Sequence, residues 1–196
     1  MEITTEYLLR GAFLSAAQGW HLLHDARLLY SHDRFSSSLV LGVYCIEEVG
    51  RSRALLDLTR KSIDGISINR EEVCSISNHF LKLRKGDSSP KLKFSWDMLD
   101  EAKERELARD VQTAQKSGPK EMHQARMNAL YVNPDGSDWN VPSHLDPSEA
   151  LLILGNAAAE YSLQRNNLSK IVEESPHCRE ISAKVALPQL PDPAAA

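Results

Sequence analysis

The 196-residue chain carries 23 Lys and Arg against 27 Asp and Glu, a formal net charge of −4 and a sequence pI of about 6.0. That balance excludes a globally basic nucleic-acid binder, so any contact with phosphate has to come from a local cluster. A hydrophobic fraction of 42% provides for a sizeable core in one unit, and 6% aromatics suits packed helices better than a sandwich or barrel.

The segment from Thr5 to His32 repeats apolar residues at helical spacing: Leu9, Phe13, Ala16, Trp20, Leu23, Ala26 and Tyr30 form one stripe. Asp33 is the expected cap of a second helix from Phe35 to about Arg60, with Leu39, Val43, Ile46, Val49 and Leu56 on its inner side. The short connection predicts an antiparallel pair. After Gly65, Asn69 with Glu72 at the third helical position resembles a capping box. The helix it opens has Val73, Ile76, Phe80 and Leu83 inward, and Gly86 is expected to end it in a left-handed turn.

From Asp97 to about Lys116 mixed charges predict a solvated helix with i,i+4 pairs. Gly118-Pro119 restarts a short helix that runs to about Leu130. Tyr131 to Pro142 is rich in turn formers and is expected to be a loop. Asp146-Pro147-Ser148-Glu149 announces the last long helix, whose inner stripe reads Leu151, Leu154, Ala158, Tyr161, Leu168 and Val172. No strand pattern or repeat is evident. The expected fold class is all-α, an antiparallel bundle of about five to six helices, in one domain over residues 1–175. Residues 176–196, rich in Pro and Ala, are expected to be an unstructured tail.

Cys45, Cys74 and Cys178 stand far apart with no CxxC pair, which gives neither a disulfide framework nor a zinc knuckle. With no signal-like N-terminus and no run of roughly eighteen apolar residues, the expectation is a cytoplasmic protein that does not enter a membrane.

Three groups of residues stand out for chemistry. Glu47 and Glu48 sit in an apolar helix with Arg51 at i+4 and i+3, either an ion pair at the bundle rim or the wall of a polar site between helices. His79 and Lys82 share a helix face at the edge of the core stripe. Such a histidine is most often merely solvated, while the chemical reading gives the imidazole proton transfer and the lysine an anion. Arg126 precedes Asn128 and Tyr131, with His123 one turn earlier. It reads either as part of a plain helix connection or as a bidentate phosphate ligand. No P-loop, Rossmann glycine pattern, nucleophile elbow or pair of Glu-x-x-His motifs is present, so no cofactor and no metal are expected.

Taken in order, the blocks Asp25-Ala26-Arg27-Leu28-Leu29, Arg34-Phe35-Ser36-Ser37-Ser38-Leu39, Ile46-Glu47-Glu48-Val49-Gly50-Arg51, His79-Phe80-Leu81-Lys82 and Asn128-Ala129-Leu130-Tyr131-Val132-Asn133 with Trp139 and Pro142 resemble the AbiV family of abortive-infection proteins. That family belongs to the HEPN superfamily. Arg51 stands where the family usually has lysine, and Asn133 replaces an aspartate. The Arg and His spaced four to six apart in HEPN ribonucleases are matched only by Arg27 and His32, on the first helix rather than a late one.

The resemblance implies an HEPN-like bundle and a phage-defence effector that cleaves RNA without metal, by attack of the 2′-hydroxyl on the neighbouring phosphate. On that mapping His79 moves the proton. Lys82, Arg126 and Arg51 hold phosphate while Glu47 and Glu48 orient them, and Tyr131 and Asn128 contact substrate. A homodimer is implied by analogy, with RNA, and a phage protein or neutralising partner, as further partners. Two other readings stand beside it: a non-catalytic sensor or partner-binding bundle, which the acidic balance favours, and a metal-dependent hydrolase using Glu47, Glu48 and His79.

Overall fold

A computed structural model describes residues 3–86, 119–135, 138–142 and 145–192; within helices it leaves out the side chains of residues 79–81, 84 and 119. The charged helix expected over Asp97 to Lys116 lies outside the described residues. In chain order the described elements are α1 (Thr5–Ser31), α2 (Phe35–Ile63), α3 (Arg70–Ser75), α4 (His79–Gly86), α5 (Pro119–Leu130), β1 (Asn133–Asp135), β2 (Asp138–Asn140), α6 (Pro147–Glu174) and α7 (Pro176–Lys184). The fold is an all-α bundle, as expected.

α1 and α2 form the antiparallel backbone of the bundle. The Thr5 and Ser62 hydroxyls, at the start of one and the end of the other, lie 2.7 Å apart. The turn between them differs from expectation. Asp33 does not cap α2; it takes a left-handed φ of 57°, and the N-cap is Arg34, with no side-chain bond. Arg34 N donates to Leu29 O and Asp33 N to Tyr30 O, so Asp33 occupies the place glycine usually takes in a Schellman closure of α1. So tight a connection requires a left-handed residue, which aspartate tolerates better than most.

α6 packs across both helices. Its N-terminus is as anticipated, with the Asp146 side chain accepting from Ser148 N and Pro147 at the first position. The inner stripe is shifted: Leu151 is 56% exposed, and Ala150 and Ile153 are buried instead, because Ile153 is the residue that meets α2 at Gly42. A Cβ on Gly42 would lie 2.7 Å from Ile153 Cγ2.

Two apolar clusters result. One gathers Trp20, Leu23, Val43, Ile46, Val49, Leu83, Ile153 and Tyr161; the other gathers Leu9, Phe13, Leu55, Leu56, Ile76, Leu168 and Ile181. Between them in sequence on α2 and α6 lie the buried Ser52 and Gln164. Gln164 Nε2 donates to Ser52 Oγ at 2.8 Å, and Ser52 Oγ donates to Ala12 O at 2.7 Å.

Three further expectations change. The helix opened by Asn69, whose capping box is present with both bonds, is interrupted at Ile76-Ser77-Asn78 and resumes as α4. The segment Tyr131 to Pro142 contains a short antiparallel hairpin, Asn133 opposite Asn140, too small to register as alternation. Residues 176–192, expected to be unstructured, begin with α7, capped by Ser175. They continue as a strap whose Val185, Leu187 and Leu190 pack on the second cluster. Tyr161 Oη donates to Pro191 O at 3.0 Å and Arg165 Nε to Leu190 O at 3.0 Å.

Candidate functional site

The site is built where α2, α4 and α5 meet, and glycine decides how closely. A Cβ on Gly50 would overlap the Lys82 carbonyl oxygen and come within 2.7 Å of Gly86 N. A Cβ on Gly86 would in turn overlap Ile46 O. The two helices therefore touch backbone to backbone. Gly86 does end α4, but without a left-handed φ; its service is this close approach. Next to the glycine contact, α2 carries Glu47 and Glu48, and α4 carries Lys82. The motif Glu47-Glu48-Val49-Gly50 thus combines two carboxylates with the small residue that lets a cation reach them.

Among the described residues, three cations share the two carboxylates. Arg126 Nη1 on α5 donates to Glu47 Oε1 at 2.8 Å. Lys82 Nζ lies 3.5 Å from Glu47 Oε2 and 3.8 Å from Glu48 Oε1. Arg51 Nη1 lies 3.3 Å from Glu48 Oε2. The i,i+4 pair of Glu47 with Arg51 that the sequence allows is not the one formed; Glu47 is taken by partners from other helices. Glu47, Lys82 and Arg126 are 1%, 5% and 6% exposed. Charges this deep persist only when paired, and here each is. Arg126 also lies over the Tyr44 ring at 5.2 Å, while its Nε has no hydrogen-bond partner among the described residues.

The polar cluster opens outward at two places. The Arg51 side chain is 37% exposed. His123, half-buried one turn before Arg126, has Nδ1 2.9 Å from Arg126 Nη2. A guanidinium only donates, so Nδ1 accepts and the ring proton resides on Nε2. His123 was noted in the sequence only as a neighbour of Arg126. Its i,i+3 spacing was the available signal, but only the helix packing shows what it touches.

Of the other anticipated residues, His79 opens α4 three positions before Lys82, and its side chain lies outside what is described. Asn128 is engaged elsewhere: its Oδ1 accepts from Gln124 Nε2 and its carbonyl from Asn140 Nδ2. Tyr131, just past the end of α5, is 53% exposed. Among the described residues no three His, Cys, Asp or Glu side chains group to hold a metal ion. Glu47 and Glu48, the carboxylates of the metal-hydrolase reading, face cations.

A second ion pair, with its acid buried, supports the first and went unnoticed in the sequence. Arg53 Nη2 contacts Glu160 Oε2 of α6 at 2.5 Å, and Arg53 Nη1 donates to the carbonyls of Lys85 and Gly86 at 3.1 and 2.9 Å. Arg53 thereby binds the terminal carbonyls of α4, the helix that carries Lys82. A glutamate placed directly before the core residue Tyr161 was the available signal.

Comparison with protein families gives a match over residues 10–161 to the HEPN_AbiV model, described as AbiV. Curated proteins and solved structures give no match. No helix among the described residues is long and apolar enough to cross a membrane.

Proposed function

The chain belongs to the AbiV family of HEPN-type abortive-infection proteins of phage defence, and from that membership we propose that it acts by metal-independent cleavage of RNA. The observation that carries this reading is the contact of Arg126 with His123 beside the Glu47 carboxylate. It places a cation and an imidazole together on a late helix, where Arg27 and His32 could not serve. In the reaction the RNA 2′-oxygen bonds to the adjacent phosphorus and the bond to the 5′-oxygen breaks. One proton leaves the 2′-hydroxyl and one is delivered to the departing oxygen. Arg51 at the rim and Arg126 hold the phosphoryl oxygens as charge builds. Glu47 and Glu48 orient those guanidinium groups and the Lys82 ammonium, the third cation on the two carboxylates.

With Nδ1 turned to the Arg126 guanidinium, which only donates, His123 carries its ring proton on Nε2. When Arg126 Nη2 turns from Nδ1 to a phosphate oxygen, with Nη1 remaining on Glu47, Nδ1 becomes able to take a proton. His79, on α4 ahead of Lys82, is the second proton carrier in this proposal. Tyr131 offers an exposed ring for a base, with Asn128 nearby in sequence as a further substrate contact. The active form is a homodimer in the cytoplasm.

The burial of Glu47, Lys82 and Arg126 favours a second reading, in which the ion cluster is a rigid support and the bundle acts by binding a partner. RNA integrity and growth in cells expressing the wild type, His123→Ala and His79→Ala separate the two. Cleavage predicts degraded RNA and growth arrest with the wild type, both relieved in a histidine variant that retains its helical circular dichroism. Arrest with intact RNA, or arrest unchanged in both variants, would establish the binding reading. Degradation by purified protein in excess chelator removes the metal-hydrolase alternative.

A further inference from the structure

Further along α2 from the ion cluster, α2, the first half of α1 and the short helix α3 line a cleft of about 460 Å³, within the range of small-ligand sites. Its floor is apolar: Leu55 and Ile76 are 7% and 5% exposed. Gly11 keeps that floor open, since a Cβ there would press on Leu55 Cδ1 at 3.2 Å. Tyr7 and Leu14, 45% and 50% exposed, stand at the edge. Two arginines complete the lining, Arg10 and Arg51, and among the described residues none of the lining is acidic. In a chain of net charge −4, the described lining carries two guanidinium groups and no carboxylate of its own, with Glu48 reaching Arg51 from beside it.

We propose that this cleft binds a small amphipathic organic anion, its phosphate or carboxylate held by Arg10 and Arg51 and its aromatic or aliphatic body laid on Leu55 and Ile76 beside Tyr7 and Leu14. The guanidinium fork suits such oxyanions, and the apolar floor separates this class from free inorganic phosphate. The proposal does not depend on RNA cleavage. Arg51 is also the partner of Glu48, with Nη1 3.3 Å from Oε2, and Glu48 shares Lys82 with Glu47. A ligand on Arg51 therefore competes with Glu48 for the same cation, which connects the cleft to the buried ion cluster.

Phenyl phosphate, phenol and inorganic phosphate are suitable probes, titrated into the full chain by calorimetry and by amide chemical shifts. Phenyl phosphate is expected to bind more tightly than either fragment, with shifts centred on α1 and α3. Arg10→Ala, at an exposed helix position, and Arg51→Ala are each expected to weaken it about tenfold or more. Glu48→Gln is expected to strengthen it severalfold by releasing Arg51. Equal binding of inorganic phosphate, or wild-type affinity for phenyl phosphate in folded Arg10→Ala, would overturn the proposal. So would binding only of an acidic, tyrosine-containing peptide, which would make the cleft a protein-docking surface instead.

Discussion

The Glu47 carboxylate on α2 holds the Arg126 guanidinium on α5 at 2.8 Å across 79 residues of sequence, with both side chains almost wholly buried. This bond ties the two ends of the candidate site together and orients Arg126 toward His123. Removing the carboxylate leaves Arg126 and Lys82 with Glu48 as the remaining acid of the cluster among the described residues.

Glu47→Ala is accordingly expected to lower unfolding free energy by about 3–5 kcal/mol, the usual cost of stranding a buried charge. Replacing Glu47, Lys82 and Arg126 together by methionine is expected to recover most of that loss, because no unpaired charge then remains. Urea denaturation followed by circular dichroism measures both. A loss under about 1 kcal/mol for Glu47→Ala would mean that the pair contributes no more than a surface contact.

Gly50 and Gly155 make a matched comparison, both lying inside long helices. Gly50→Ala drives a methyl group into the α4 backbone and is expected to cost about 2–3 kcal/mol through overpacking, with Lys82 displaced from the carboxylates. A Cβ on Gly155 meets nothing within 4 Å, so Gly155→Ala is expected to gain about 0.5–1 kcal/mol from helix propensity. Thermal denaturation of the two variants should move in opposite directions.

Alkaline pH is expected to weaken the fold through two acids of the first cluster. Burial pushes the Cys45 thiol from 9.0 up to about 12, with Arg27 opposing and Glu48 adding to the rise. Burial likewise raises the Tyr161 hydroxyl from 10.0 to about 12, with Arg165 opposing. Both hold their protons more tightly folded than unfolded, so their stabilisation is complete below pH 9 and is lost as pH rises toward 12. Urea midpoints taken from neutral pH to about 11 should fall less steeply in Cys45→Ala and Tyr161→Phe than in the wild type. Identical slopes in all three proteins would show that these groups do not govern the alkaline limb.

The C-terminal strap is expected to contribute to stability rather than to be dispensable. Ending the chain after Lys184 removes the acceptors of Tyr161 and Arg165 and uncovers apolar surface. An order-of-magnitude loss of about 2 kcal/mol follows, and Tyr161→Phe alone should cost about 1 kcal/mol. Limited proteolysis of the full chain provides an independent check: cleavage within residues 185–192 as fast as in an unfolded peptide would contradict the packed strap.

Helix positions could be read from the chain because their causes are local. Apolar residues three and four apart must share a face, and Asn69 with Glu72, or Asp146 with Ser148, begins a helix through bonds among near neighbours. The residues of the polar cluster were legible one group at a time: Glu47 and Glu48 as acids within an apolar helix that demand partners, Lys82 beside His79 at the edge of a core stripe, and Arg126 ahead of the turn-rich segment. What the chain left open was the choice among partners. Arg51 was available to Glu47 at i+4, yet Arg126 and Lys82 won, because the Gly50 contact brings α4 in and burial strengthens the bonds from outside the helix. Asp33, Leu151 and the strap after Pro176 were misjudged for the same cause: turn closure, the approach of Ile153 to Gly42 and apolar contacts with distant helices outweighed local preference. The sequence by itself determined where the long helices lie and that Glu47 and Glu48 need partners, since propensity, capping and desolvation act over short range. Only the tertiary structure decided which charges pair, which face of α6 is buried and that the C-terminal segment is ordered, because those depend on backbone approach between segments far apart in the chain.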